Sequence, residues 1–303
     1  MNVVEALQGY GLGSPTTVND LSVFPLLARD LAEPRYLTLD EAVVAQLADV
    51  TEVTEEGSVG QLRVTNRADR PVLILDGEEL VGAKQNRIVN LTILIAAHST
   101  LHIPVTCVEA GRWRYRSQTF TPAGRTHYAS ARAMKLGQVT ESLAADGMRR
   151  ADQHAVWAHI AQKAARLEAP SDTQAAAAMY ERLRPALEDL VKAFPPAPMQ
   201  IGAVFAIRQR VVGLEMFDSP LTWRKQAAKV IRGYGLDALD SGTAGGYTED
   251  PREFIDAVAS AAVKTSPAIG LGTDIRFEGR GFAGAALVLD GTVVHALAFA
   301  GNF

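Results

Sequence analysis

Residues Gly77–Asn90 read GEELVGAKQNRIVN, a stretch that combines acids, bases and amides within a short span. Its KQNR run consists of four long or amide-bearing polar residues, whereas turns ordinarily use Gly, Asn, Asp, Ser or Pro. Glu78 and Glu79 precede this run, and Gly82 permits a bend that brings carboxylates towards cations. Such a set accepts hydrogen bonds from hydroxyls and donates them to phosphate oxygens or base edges. The residue types therefore indicate either a ligand site or an ordinary solvated sheet edge.

A second polar group reads EAGRWRYR and begins at Glu109, directly after the strand-like run TLHIPVTCV. Arg112 can fork onto a phosphate, and Trp113 can stack on a base. The alternative is a surface ion pair between Glu109 and Arg112, with Trp113 as a core residue. Strands that are neighbours in sequence usually lie side by side in a sheet. We therefore expect six side chains to converge on one concave surface: Glu79, Lys84, Asn86, Arg87, Glu109 and Arg112.

Alternation along the strands predicts which side chains face the core. A regular strand that starts near Lys84 places apolar residues on one face, and these are Val89, Leu91, Ile93 and Ile95. The other face, towards water or a cleft, then carries Lys84, Asn86, Asn90 and Thr92. In the next strand, Cys107 shares the parity of Ile103 and Val105. It is expected to be a small buried hydrophobe rather than a catalytic thiol.

The composition limits the class of protein: 48% of the 303 residues are hydrophobic, 21% are charged, and the net charge is −4. That charge gives no electrostatic basis for nonspecific binding to nucleic acid or to an anionic membrane. No apolar run is long enough to span a bilayer, and the opening MNVVEALQGY lacks the pattern of a signal peptide. The single cysteine excludes an internal disulfide and a cysteine-based zinc site. We expect a cytoplasmic protein without nucleic-acid or membrane partners, and its oligomeric state is left open.

The sequence predicts an α+β fold in three parts. From about residue 22 to 109, short runs rich in β-branched residues indicate a mostly antiparallel β N-terminal part. From about 129 to 194, apolar residues at helical spacing indicate a central helical block, which the prolines of FPPAP end. C-terminal β-hairpins follow, with helices that begin near Ser219-Pro220 and Asp250-Pro251.

Two segments in the last third of the chain repeat one pattern. Gly202–Phe217 aligns without gaps with Gly284–Phe299, and both read as apolar hairpins of period two. They are either two similar hairpins or a duplicated unit that pairs into one sheet. His295, within the second segment, is expected to be a sheet residue rather than a ligand.

The domain organisation follows from length and from the proline-rich break. A chain of this length can bury one large core, so residues 1–303 are interpreted as a single α+β domain. A sub-boundary near 194–200 is the alternative, and it would separate the strand-rich part with its helical block, 1–194, from the hairpin part, 199–303.

The polar residues of the central helical block are expected to form mostly a solvated face, as charges on helices usually do. These residues are Arg132, Lys135, Arg149, Arg150 and Gln153. Gln153 and Trp157 stand four apart, so they could instead lean over the strands as one wall of a cleft. As a core residue, Trp157 would contribute about 3–5 kcal/mol to stability.

Other motifs give weaker indications. The glycines of GYGLG at Gly9–Gly13 have no preceding strand, and GTAGGY at Gly242–Tyr247 is interpreted as a linker between helices. The sequence requires no metal or cofactor. A magnesium ion held by Glu79 and Glu109 remains an alternative, because Mg²⁺ often uses one or two carboxylates together with substrate phosphates.

The two polar stretches together resemble a known family. GEELVGAKQNRIVN followed by IPVTCVEAGRW is similar to the bacterial family named for its association with ADP-ribosylglycohydrolase and rhodanese-phosphatase proteins. Weaker matches are VVGLEMFDS, YGLDAL and VVHALAF, so the resemblance extends from about Asn19 onwards. It implies a role near NAD and ADP-ribose metabolism and a nucleotide-type ligand. The candidate site residues that it carries forward are Glu79, Lys84, Gln85, Asn86, Arg87, Glu109, Arg112 and Trp113.

Two functional hypotheses follow from these residues. The first is an enzyme that processes an ADP-ribose-type nucleotide, with Glu79 and Glu109 as acid and base. In this hypothesis the diphosphate is held by Lys84, Arg87 and Arg112. The second is a noncatalytic module that binds such a nucleotide or a partner protein. An enzyme is expected to hold a carboxylate with a perturbed pKa in a closed cleft.

Overall fold

The computed structural model describes residues 9–30, 32–240 and 246–301. The strands are β1 (Gly11–Leu12), β2 (Thr16–Val18), β3 (Leu21–Leu27), β4 (Leu37–Thr38), β5 (Ala48–Glu52), β6 (Gln61–Asn66), β7 (Val72–Ile74), β8 (Glu78–Gly82), β9 (Arg87–Val89), β10 (Ile93–Ile95), β11 (Ser99–Cys107), β12 (Thr119–Thr126), β13 (Gln200–Ile207), β14 (Arg210–Phe217), β15 (Ala262–Pro267), β16 (Thr273–Gly279), β17 (Phe282–Leu289) and β18 (Thr292–Ala300). The helices are α1 (Leu39–Val44), α2 (Ala129–Asp146), α3 (Gln153–Arg166), α4 (Ala177–Arg182), α5 (Arg184–Ala193), α6 (Pro220–Ala238) and α7 (Pro251–Ala259). The α+β class is confirmed. The first eight residues of MNVVEALQGY and most of the GTAGGY stretch lie outside the described residues.

Six strands close into a barrel in the order β11-β6-β5-β12-β8-β9, and all neighbouring pairs are antiparallel. Alternate side chains point inwards, and apolar residues such as Val50, Val64 and Ile103 fill the interior. Closure leaves no unpaired strand edge in this part of the molecule. The barrel therefore provides a rigid support for the loops at its ends.

The predicted strand through Ile88–Ile95 is two strands in two different sheets. β9 pairs with β11 in the barrel as far as Val89, whereas β10 pairs with β7 in a small sheet of order β10-β7-β4. The polar row from Lys84 to Thr92, predicted for one regular strand, is therefore wrong. Asn90, for example, is buried, and its Nδ2 donates to the carbonyl of Arg149 at 2.9 Å. Alternation within one strand cannot reveal where a chain passes from one sheet to the next.

A nine-stranded sheet contains both repeated hairpins of the last third of the sequence. Its path is β1-β3-β13-β14-β18-β17-β16-β15, and β2 pairs with β3 beside this path. β13–β14 form the first hairpin and β17–β18 the second, and the equivalent strands β14 and β18 pair with each other. The two repeats thus pair into one sheet. β3 pairs with β13, so strands from both sides of the 194–200 segment belong to this sheet.

The predicted helix starts near Ser219-Pro220 and Asp250-Pro251 are confirmed. Ser219 caps α6 through its hydroxyl and Asp250 caps α7 through its carboxylate, and both helices start with proline. The central block forms α2 to α5 and ends before the prolines of FPPAP. α6 contacts both β13 of the large sheet and β12 of the barrel. In the part of the chain that the structure describes, no helix is long and apolar enough to cross a membrane.

The expectation of a solvated polar face on α2 is wrong for Arg132 and Lys135, whose side chains are fully buried. Arg132 bridges Asp76 and Glu215 with N–O distances of 3.0 and 2.5 Å. Lys135 lies 2.5 Å from the other oxygen of Asp76. α2 contacts β17 and β18 of the large sheet, so its charged side chains meet carboxylates from barrel and sheet instead of water. Arg150, beyond the end of α2, is exposed as expected.

Two tryptophans differ in how much packing they contribute. Trp223 of α6 is buried against Phe217, with ring centroids 6.2 Å apart, whereas Trp157 of α3 is only half-buried. We expect Trp223→Ala to lower the free energy of unfolding by about 3–5 kcal/mol, because it leaves a large cavity in the core. Trp157→Ala should cost clearly less. Urea denaturation measures both, and equal losses would contradict the peripheral position of Trp157.

Candidate functional site

One end of the barrel interior carries charged side chains, whereas its middle is apolar. Arg87 pairs in register with Leu80 and with Cys107, so these three side chains point inwards together. Glu52 shares the inward parity of Val50 on β5 and joins them at the same end. All of these side chains are buried, and Arg87 is 0% exposed. A buried cation and a buried carboxylate therefore share the end of a closed barrel.

Glu109 and Arg112 hold the loop that follows β11 against this end of the barrel. The Nε of Arg112 donates to Glu109 Oε2 at 2.9 Å, and its Nη2 donates to Asn86 Oδ1 at 3.0 Å. Nη1 of Arg112 donates to the carbonyl of Ala83 at 2.7 Å. Glu109 also accepts from the Asn86 amide at 3.1 Å and from the Thr173 hydroxyl at 2.8 Å. Burial alone would raise the pKa of Glu109, but these hydrogen bonds outweigh it and hold the pKa below its ordinary value.

Gln85 connects the Glu109 loop with Arg87. Its side-chain amide donates to the backbone carbonyl of Glu109. Arg87 Nη1 donates to the carbonyl and to the Oε1 of Gln85 at 3.1 and 2.9 Å. The Nε and Nη2 of Arg87 have no hydrogen-bond partner. Burial lowers the pKa of Arg87, and the nearby Cys107 and Glu52 offset this only in part. Arg87 is thus a buried cation with two unpaired donor nitrogens.

The outside of this barrel end carries a group of rings and cations, the aromatic face. It consists of the half-buried Lys84 and the exposed Trp113, Arg114, Tyr115 and Arg116. Trp113 is 46% exposed and Tyr115 is 43% exposed. The Nζ of Lys84 lies 5.6 Å from the ring centroid of Trp113 and 5.0 Å from that of Tyr115. Arg114 and Arg116 are exposed, and their backbone amides donate to carbonyls of the KQNR turn and the residue before it. Backbone hydrogen bonds therefore fix the segment that presents the rings.

Glu79 lies on the outer side of the barrel wall, because its neighbour Leu80 points into the barrel. Both oxygens of Glu79 accept from Arg125, at 2.6 Å from Nε and 3.0 Å from Nη2. The guanidinium of Arg125 lies 4.6 Å from the ring centroid of Tyr180. Arg125 and Tyr180 line a cavity of about 210 Å³ together with residues that include Arg232. Glu79 is therefore tied to the helical side of the molecule.

The contacts join every candidate residue except Glu79 into one group at the barrel end. Most of the group is buried, and the Glu109–Arg112 pair is itself buried rather than on the surface. Trp113 is exposed rather than a core residue. Whether these residues bind a ligand or act in catalysis stays a prediction.

Sequence reasoning missed two residues that belong to these arrangements: Glu52 and Arg125. Glu52 could have been found, because the alternation in ADVTE gives it the inward parity of Val50. Arg125 meets Glu79 across 46 residues, and no local pattern signals such a partner.

Cys107 is buried in the barrel end, as alternation predicts. The Gln153 side chain accepts from the Cys107 amide and donates to the Cys107 carbonyl, both at 2.8 Å, so Gln153 does lean against the strands. Burial raises the pKa of the Cys107 thiol to about 11. We expect a thiol reagent at pH 8 to label the native protein at least about tenfold more slowly than the unfolded chain, because attack requires an accessible thiolate. Absorbance of the coloured thiolate that the reagent releases measures both rates. Rapid labelling of the native protein would contradict the burial of Cys107.

A separate buried charge cluster, Asp76, Arg132, Lys135, Glu215 and His295, lies between the barrel and the large sheet. His295 Nε2 lies 3.4 Å from Glu215 Oε2. Burial alone would raise the pKa of both Asp76 and Glu215. Lys135 and Arg132 instead hold the pKa of Asp76 below its ordinary value. Arg132 and His295 do the same for the pKa of Glu215. Burial lowers the pKa of Lys135 to about 8 despite the neighbouring Asp76. The cluster joins α2 to the barrel and to the large sheet. No sequence motif predicted it.

Among residues 9–30, 32–240 and 246–301, no three His, Cys, Asp or Glu side chains come close enough together to hold a metal ion. Glu79 and Glu109 pair with different arginines, Arg125 and Arg112. The magnesium alternative at these two carboxylates stays a prediction.

Comparison with known proteins identifies one family. The family model of the ARG and Rhodanese-Phosphatase-superfamily-associated Protein domain matches residues 9–299. The chain belongs to this family, so the resemblance drawn from the KQNR and CVEAGRW stretches is confirmed. The name of the family links it by association to ADP-ribosylglycohydrolase, abbreviated ARG. No curated protein and no solved structure matches the chain significantly.

Proposed function

We propose that this family member binds a nucleotide-type anion of the ADP-ribose class at the aromatic face. Trp113 and Tyr115 offer two exposed rings, and stacking on such rings is worth about 1–3 kcal/mol per base. Lys84, Arg114 and Arg116 offer cations for the phosphates. The observation that carries the proposal is one ammonium group 5.0 and 5.6 Å from two exposed rings. Glu52, Glu55 and Glu56 also lie near Tyr115, so the aromatic face stands beside carboxylates as well as cations.

Arg112 has a positioning role in this proposal rather than a phosphate-binding one. Its guanidinium donors engage Glu109, Asn86 and backbone carbonyls of the turn before KQNR. Those bonds fix the chain that leads to Trp113. The free donors on the accessible side belong to Lys84 and the exposed arginines.

The partners of the two candidate carboxylates favour a binding module over an enzyme. A general acid works best when its pKa lies near the operating pH. Hydrogen bonds hold the pKa of Glu109 below its ordinary value, which keeps the carboxylate ionised at neutral pH. Glu79 has both oxygens engaged by Arg125. Recognition by rings and cations needs neither carboxylate to exchange a proton.

The second candidate function is an enzyme that processes the same class of nucleotide, with Glu79 and Glu109 as acid and base. The support for it is the burial of the Glu79–Arg125 pair beside a half-open cavity of about 210 Å³, since catalytic carboxylates are commonly buried beside a cleft. Glu79→Gln keeps the size of the side chain and removes proton transfer. If this variant binds ADP-ribose like the wild type while product formation disappears, the enzyme hypothesis holds. Absence of product from the wild-type protein favours the binding module.

Calorimetric titration of the purified protein with NAD, ADP-ribose, ADP and phosphorylated ribosides tests the proposal. We expect Trp113→Ala to weaken binding at least about tenfold, because a lost stacking contact of about 1.4 kcal/mol corresponds to that factor. Lys84→Ala should weaken every phosphate-bearing ligand. Trp157→Ala is the matched control, since it removes an indole elsewhere and should leave affinity unchanged. No heat across the panel would overturn the proposal and leave a protein-interaction module.

A further inference from the structure

Beneath the aromatic face, two buried polar side chains keep atoms without partners. Arg87 has its Nε and Nη2 donors free, and Glu52 has its Oε2 acceptor free. The other oxygen of Glu52 accepts the Lys84 amide at 3.3 Å. Buried polar atoms in folded proteins nearly always have a partner, so each such exception requires an explanation. A donor pair and an acceptor at one barrel end point to a ligand group that can satisfy both.

The geometry around Gly57 places the free acceptor of Glu52 beside Trp113 and Lys84. A Cβ placed on Gly57 would lie 3.3 Å from Glu52 Oε2, 3.2 Å from Trp113 Cζ2 and 3.1 Å from Lys84 Cδ. Gly57 has φ +80°, a conformation that glycine adopts without strain, so this position carries no side chain. The Cζ of Arg87 lies 5.4 Å from the ring centroid of Trp113. Trp113 therefore lies near both the free acceptor of Glu52 and the guanidinium of Arg87.

We infer that this barrel end selects a planar ring whose edge carries an acceptor next to a donor, as a primary carboxamide or the amino edge of adenine does. Such an edge accepts from Arg87 and donates to Glu52 while its ring stacks on Trp113. A ring that carries a carboxylate instead satisfies Arg87 but places a second negative charge against Glu52. This inference rests on the proposed nucleotide binding at the aromatic face and specifies which base or ring that site prefers.

Other polar features of the molecule do not offer the same combination. The donors of Arg125 and of Arg112 are engaged by carboxylates and carbonyls. In the buried charge cluster, the free atoms of Arg132 and Glu215 belong to side chains already paired with each other. Only at the barrel end, among the described residues, do a free donor pair and a free acceptor stand beside an exposed indole.

Matched pairs of ligands test the preference on the wild-type protein. Nicotinamide mononucleotide and nicotinic acid mononucleotide differ only in amide against acid, and AMP and N6,N6-dimethyl-AMP differ in the amino donor. In the pair that matches the natural ring, we expect the amide or the amino ligand to bind at least about tenfold more tightly than its counterpart. Nicotinic acid mononucleotide would place its carboxylate against Glu52, and N6,N6-dimethyl-AMP would leave the Glu52 acceptor unpaired. The arm with the larger ratio identifies the ring as a carboxamide or as adenine.

Glu52→Gln is the variant that addresses the acceptor directly. Its amide can donate to a ligand carboxylate, so the preference for amide over acid should collapse to near one or reverse. Glu55→Gln is the matched control, because Glu55 is exposed nearby and its loss removes the same charge without touching the free acceptor. The melting temperature of each variant shows whether it is folded, and the wild-type ligand pairs need no variant.

The possible outcomes separate this inference from the proposed function. If none of the four nucleotides binds the wild type but ADP-ribose does, the inference falls and binding at the aromatic face stands. If ADP-ribose does not bind either, both fall. If nucleotides bind but both wild-type ratios are near one, the inference is overturned while binding at the aromatic face stands. The same holds if the wild type prefers amide over acid and a folded Glu52→Gln variant keeps that preference. Selective loss of the ratio in Glu52→Gln and not in Glu55→Gln supports it.

Discussion

Arg132→Leu is expected to lower the free energy of unfolding by about 3–5 kcal/mol, because it leaves buried carboxylates without their cation. Arg132 is fully buried and bridges Asp76 and Glu215 at 3.0 and 2.5 Å. Without it, Asp76 keeps Lys135, whereas Glu215 is left beside His295 at 3.4 Å. Urea denaturation followed by circular dichroism measures the loss.

Two controls separate this effect from a general loss of surface charge. Arg150→Ala removes an exposed pair with Asp146, whose side chains are 63% and 43% exposed, and should cost no more than about 1 kcal/mol. Arg132→Leu combined with Glu215→Gln should recover part of the loss, because the variant no longer buries an unpaired carboxylate. An Arg132→Leu variant as stable as the wild type would contradict the structural role of the buried charge cluster.

Arg112→Ala is expected to destabilise the protein by about 3–5 kcal/mol and, in addition, to abolish nucleotide binding at the aromatic face. The substitution leaves Glu109 buried without its cation and removes the donor to Asn86. It also frees the loop that fixes Trp113. Denaturation and calorimetry on the same preparation measure the two effects.

Arg114→Ala is the matched control for Arg112→Ala, because it removes an exposed arginine two residues away. Its stability should stay within about 1 kcal/mol of the wild type. Its affinity for the nucleotide should fall only by the contribution of one phosphate contact. Equal behaviour of the two variants would show that Arg112 has no special positioning role.

Much of the fold could be predicted because its signals are local. Ser219 and Asp250 are caps followed by proline, and FPPAP stops a helix whatever surrounds it. The period-two hairpins at Gly202–Phe217 and Gly284–Phe299 are equally local. Each of these signals acts through the backbone of a few neighbouring residues, so tertiary contacts do not override it.

The errors arose where tertiary contacts decide. Closure of the barrel assigns Val89 and Ile93 to different sheets, and nothing in IVNLTILI marks the change. Arg132 and Lys135 have the spacing and chemistry of a solvated helix face, but carboxylates distant in sequence bury them. Charges are usually solvated on helices, and only the assembled partners reveal the exception.

The candidate site was predictable as a group and not in its details. Residue types alone singled out KQNR and EAGRW, and the contacts join them at one barrel end. Which side chains are buried and which remain accessible depends on the barrel register, which turns Arg87 inwards and leaves Trp113 outside. The register also assigns Glu79 to the opposite side of the wall.

Binding at the aromatic face requires that ADP-ribose cover Trp113. In a Trp157→Phe variant the remaining tryptophans are the exposed Trp113 and the buried Trp223, so acrylamide quenching reports almost entirely on Trp113. Saturating ADP-ribose is predicted to reduce the quenching constant at least about twofold, because a stacked base excludes the quencher from one ring face. An unchanged quenching constant at a nucleotide concentration that calorimetry shows to be saturating would contradict binding at the aromatic face.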